Sequence, residues 1–147
     1  MSRTVAVALG AGAGCLVGMQ APINSRLGKT IGTAQAASFS FLAGTVLLAL
    51  IVLFVHGGFA SFKTIGRAPW WALIGGLLGA VYVTVALVAV RTLGASGITA
   101  AVIAGNLAMA VVIDRFGLFG IAKQQINLTR IVGLVLLAAG VALVVRK

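Results

Sequence analysis

From Pro69 to Arg115 the chain reads PWWALIGGLLGAVYVTVALVAVRTLGASGITAAVIAGNLAMAVVIDR, an apolar course interrupted at RTLGASG, Arg91–Gly97. The interruption divides it into two runs, about 70–90 and 95–114. Each is close to the ~20 residues that carry a helix across ~30 Å of hydrocarbon at ~1.5 Å per residue. A link this short makes the two runs an antiparallel hairpin. Three similar runs lie outside them, at 4–25, 33–55 and 129–145. Arg26, Gly28, Lys29 and Gly32 close the first, and His56, Gly57 and Gly58 close the second. Lys63, Arg67 and Pro69 precede the third, and the longest connection, Arg115–Leu128, contains Lys123, Gln124 and Gln125. The expectation is an all-α integral membrane protein, a single domain over 1–147 with five transmembrane helices.

Composition supports the same solvent. The 147 residues are 61% hydrophobic and 8% charged, whereas a soluble domain is about a quarter charged. Twenty glycines also suit membrane helices, where glycine is more frequent than in soluble ones. The net charge of +10 is not gathered into a basic stripe, so no nucleic-acid footprint is present. The cations stand singly or in pairs at the ends of apolar runs, where they face anionic lipid headgroups. Arg3 and AGAGC, Ala11–Cys15, resemble a signal sequence, but the run before Cys15 is short and glycine-rich and is read as a helix. With one cysteine, one histidine and one acid, catalytic triads, paired carboxylates and metal clusters lack their residues. No enzyme activity, cofactor or metal is expected.

Threading five spans places Arg3, Lys63, Arg67, Arg115, Lys123 and Arg130 on one side and Arg26, Lys29, Arg91, Arg146 and Lys147 on the other. Orientation follows the Lys/Arg bias of short loops, and here that bias is close to nil. Either a span boundary is misplaced or the chain inserts both ways. With an odd helix number, two oppositely inserted copies reproduce the inverted-repeat plan of many secondary transporters.

Several stretches resemble the YdcZ family of the drug/metabolite transporter superfamily along nearly the whole chain: GMQAPINSRLG (Gly18–Gly28), PWWALIGGLLGAVYV (Pro69–Val83), IAGNLAMAVVIDRFGLFG (Ile103–Gly120) and RIVGLVLLAAGVALV (Arg130–Val144). The resemblance implies a multi-pass protein of the bacterial inner membrane. It also implies a five-helix half that pairs with an antiparallel copy of itself to move an unidentified small molecule. At Asn106 the family usually carries Gln, so the amide here reaches one methylene less far.

The polar groups at depth are the candidate substrate ligands: Gln20, Asn24, Tyr82 and Asn106. Counting from Arg26, Gln20 lies ~9 Å and Asn24 ~3 Å below that level. Pro22 frees the carbonyl of Gly18 and commonly kinks a helix. This stretch is therefore either a broken, cavity-lining helix end or an interfacial helix ending in a turn. Tyr82 is ~18 Å past Trp70 and shares a stripe with Gly75, Gly79 and Ala86. Asn106 shares one with Thr99 and Ala110, and either lines a site or bonds a neighbouring helix. Ser38 and Ser40 are expected to bond their own helix backbone. Gly10, Gly14 and Gly18 form an i+4 row suited to close helix packing. Gly75 and Gly79 serve likewise, and Gly133 with Gly140 suggests a seam between protomers. Trp70 and Trp71 are read as aromatic-belt residues. Asp114, with Arg115 beside it, is read as an interfacial ion-pair or loop anchor. It is too shallow to be the buried carboxylate of proton-coupled cation export. Three functions remain open: a transporter, a membrane scaffold or partner subunit without transport, and a half-transporter needing an oppositely oriented homologue.

Overall fold

The computed structural model describes residues 1–125 and 127–146. Among these residues the only regular structure is helical, without strands, and four helices are long and apolar enough to cross a membrane. They are α1 (Arg3–Ile31), α2 (Thr33–Val55), α3 (Gly75–Phe116) and α4 (Leu128–Val145). The chain divides into two compact units, Met1–Arg91 and Thr92–Lys147.

In the first unit, Ser2 caps α1 by accepting the Val5 N–H through its hydroxyl. The helix then runs unbroken for 29 residues, ~43 Å, the thickness of a bilayer with its headgroups. This corrects the expected end near residue 25 and the expected break at Pro22. A proline removes one hydrogen bond, and the turns around it keep the helix going. Lys29, in the last turn, favours the extension, because a cation there offsets the negative end of the helix dipole. The stop is Gly32, at φ 95° and ψ 152°, a backbone region that L side chains rarely adopt. Its N–H bonds the Gly28 carbonyl, and its carbonyl accepts the Ala36 N–H that opens α2. A single non-helical residue therefore joins α1 to α2.

The core of this unit is small. Ala36 and Ala37 of α2 pack against Val83 and Leu87 of α3, with Leu27 and Tyr82 at the margin. Alanine on α2 lets the helices approach closely. On α3 the buried face runs Val83, Ala86, Leu87, Val90, the spacing of one side of a helix. The Phe41 ring lies against Gly79, where an added Cβ would be 3.4 Å from it.

The expected third run, 70–90, begins differently from its reading. Trp70–Leu73 is a 3₁₀ turn opened by Pro69, and the α-helix starts at Gly75. At Gly94 the backbone of α3 leaves helical geometry, with φ 71° and ψ 174°, inside the stretch expected to break. In the second unit α3 ends at Gly117, which is left-handed. Asn127 then caps α4 by accepting the Arg130 N–H through its side-chain oxygen.

Candidate functional site

Residues at equal distances from Gly32 face each other across the α1–α2 corner. Asn24 and Ser40 each stand eight positions from it, and the Asn24 Nδ2 donates to the Ser40 hydroxyl at 3.0 Å. Gln20 and Gly44 each stand twelve away, and both line a cavity of about 230 Å³, broadly open to the helix surface, with Ser40, Phe41, Thr45 and Leu48. Its polar groups are the Gln20 carboxamide and the Ser40 and Thr45 hydroxyls, all neutral donors and acceptors. No ionisable side chain lines it. The Phe41 ring is a shared wall, turned to the cavity and in contact with Gly79.

Asn24 and Ser25 are buried. Ser25 accepts a hydrogen bond from Arg91 Nε at 3.3 Å, and a terminal nitrogen of Arg91 donates to the Thr33 hydroxyl at 3.2 Å. A Cβ on Gly28 would stand 3.1 Å from that nitrogen, so the glycine is the space into which the guanidinium fits. Arg91, expected as a lipid-facing cation, thus ties the end of α1, the start of α2 and α3 together. Among the described residues no buried side-chain polar atom is left unpaired.

The structure therefore joins Gln20 and Asn24 through Ser40, which both lines the cavity and takes the Asn24 amide. This corrects the expectation that Ser40 bonds its own helix. A one-residue turn at Gly32 was the signal that could have paired these positions. Tyr82 is half-buried at the margin of the alanine core and does not line the cavity. Asn106 is exposed in the second unit. Asp114 bonds Arg130 rather than the adjacent Arg115, and its backbone carbonyl accepts the Gln124 N–H at 2.9 Å. Neighbours in a helix point ~100° apart, whereas a residue across the connection can meet the carboxylate directly. Trp70 is exposed.

Among the candidate packing glycines, Gly79 has its neighbour within the chain, and Gly18 is half-buried. A Cβ added at Gly10, Gly14, Gly75, Gly133 or Gly140 would have no neighbour within 4 Å beyond its own helix backbone. The apolar windows of α2 and α4 have none of their residues buried, and that of α1 only 6%. These surfaces are compatible with lipid as solvent and would be incompatible with water over such an area.

A family model described as "Putative inner membrane exporter, YdcZ" matches residues 5–143. No curated protein and no solved structure matches the chain.

Proposed function

The chain belongs to the YdcZ family, whose members are described as inner-membrane exporters, and on that premise we propose that it exports a small, uncharged solute by alternating access. It is a multi-pass inner-membrane protein of transporter type, a class distinct from enzymes. The observation that carries the reading is the cavity beside Gln20, where hydroxyls and a carboxamide converge without a charge. Such a lining holds a guest by hydrogen bonds and apolar contact. A cation would find no counter-charge there. The one acid of the chain, Asp114, is already paired with Arg130.

In this reading the arms of α3 on either side of Gly94 serve as separate spans, giving five per chain. Two copies inserted in opposite senses pair into a ten-helix unit, which the even distribution of Lys and Arg supports. Gln20 of both copies then contacts the solute directly, Asn24 acts behind it by holding Ser40, and Tyr82 and Asn106 face the path only where the two copies meet.

A ligand-stabilisation screen on purified protein identifies a solute, and uptake into proteoliposomes then tests the site. Gln20→Ala and Thr45→Val should each lose both stabilisation by the ligand and transport. Normal transport by both variants would remove the cavity from the mechanism. C-terminal reporters active on opposite sides of the membrane should both give signal; activity of one alone would refute dual insertion.

A further inference from the structure

Between α2 and α3 lies a segment that the transport reading does not use. α2 ends with the His56 and Gly58 N–H groups both on the Val52 carbonyl, and Gly57 and Gly58 have positive φ, 71° and 109°. The next residues form a 3₁₀ helix, Ala60–Arg67, none of them buried. At three residues per turn, side chains spaced by three stack in line. Phe59, Phe62 and Ile65 therefore make one continuous apolar stripe. The two rings are 5.3 Å apart, edge to face, and the three residues are 44%, 58% and 55% exposed. The other two faces carry Lys63 and Gly66, and Ser61, Thr64 and Arg67; the Thr64 hydroxyl donates to the Ser61 carbonyl at 2.8 Å. Such helices rarely exceed three or four residues unaided, so one of eight implies a surface that holds it.

Its tethers identify that surface. Phe59 follows the last residue of the span α2 by four positions, and Arg67 precedes Trp70 by three. Both ends thus keep the segment at the membrane boundary. One apolar face and two polar ones with two cations match an element lying flat there, with its apolar side ~5–10 Å into the headgroup–acyl boundary. We propose that Phe59–Arg67 is a lipid-binding element: Phe59, Phe62 and Ile65 insert into the leaflet, while Lys63 and Arg67 bind the phosphates of anionic lipids.

Nitroxide scanning of residues 59–67, one cysteine at a time in a Cys15→Ser background, tests this in reconstituted full-length protein. In vesicles containing phosphatidylglycerol, accessibility to oxygen should peak at 59, 62 and 65. Accessibility to a water-soluble nickel chelate should peak at 61, 64 and 67. Replacing phosphatidylglycerol by phosphatidylcholine, or making Lys63→Gln with Arg67→Gln, should raise chelate access at 62. Each cation lost should lower the equilibrium constant for insertion by about fivefold. A profile without the three-residue repeat would overturn the proposal. So would shielding of 62 from both reagents, the mark of a second protein copy, or indifference to phosphatidylglycerol.

Discussion

The Asn24–Ser40 hydrogen bond gives the most discriminating test of how the α1–α2 corner is held. Asn24 is 7% exposed and its amide reaches Ser40 at 3.0 Å. Removing either partner has unequal consequences. Asn24→Ala leaves a serine hydroxyl that can turn to its own helix carbonyl, so the loss should be about 0.5–1 kcal/mol. Ser40→Ala strands a buried carboxamide, which costs about 1–3 kcal/mol. The double variant leaves no orphan, and its effect should fall short of the sum. For hydrogen bonds between membrane helices that coupling averages ~0.6 kcal/mol and reaches ~1.7 kcal/mol. At about 3 °C per kcal/mol, the non-additivity in unfolding midpoint is about 2–5 °C. Thermal unfolding of the four proteins in one detergent, followed by circular dichroism, supplies the cycle. Strict additivity would show that the bond contributes nothing and would return Asn24 to the list of free cavity ligands. A milder effect for Ser40→Ala than for Asn24→Ala would refute the reasoning about the orphaned amide.

Arg91→Ala should lower stability by about 1 kcal/mol through loss of the bonds to Ser25 and Thr33, with Arg91→Lys intermediate because a single nitrogen replaces the two that reach these hydroxyls separately; equal midpoints for the three proteins would show the clamp to be idle. Gly28→Ala, with its new Cβ 3.1 Å from the guanidinium, should be tolerated by a small shift of that side chain. Gly28→Leu should cost more than Arg91→Ala in the same melts, because it displaces the guanidinium and also presses on Thr33 and Ala36 of α2, 3.5 and 3.6 Å from the new Cβ. Gly94→Ala and Gly94→Asn should each cost about 1–3 kcal/mol, because φ 71° with ψ 174° lies outside the left-handed region that asparagine tolerates. Rescue of the midpoint by asparagine would contradict that geometry. Asp114→Asn should weaken the hold on the connection to α4 by about 1 kcal/mol. Limited proteolysis between Gly117 and Asn127 should then accelerate, and the exchange Asp114→Arg with Arg130→Asp should restore protection in part.

How much could be read without coordinates differs along the chain. The stretch RTLGASG reads as a seven-residue link, whereas helix runs on through it and only Gly94 leaves helical geometry; glycine and a cation in an apolar run mark the place of a departure but not its length. The end of α1 was legible only in part. Charge and proline suggested a stop near residue 25, but both are tolerated where a helix emerges at an interface; Gly32 was one of four closing residues in the sequence, and its dihedral angles single it out as the end. Ser40 was assigned to its own helix because a lone serine always has that option. The competing partner, Asn24, became visible once the turn placed the two residues opposite each other. The stripe of Phe59, Phe62 and Ile65 was hidden for another reason: its spacing of three acquires meaning only in a 3₁₀ helix.

The sequence by itself determined the solvent, the existence of the long apolar helices and the family. Transfer of side chains into hydrocarbon adds along the chain, so a one-dimensional reading captures it. Tertiary structure alone decided the partner of each polar group: Ser40 for Asn24, Ser25 and Thr33 for Arg91, Arg130 for Asp114. Hydrogen bonds act over about 3 Å, and which atoms come that close depends on a few backbone angles, those of Gly32 above all. A window of hydropathy contains no trace of them.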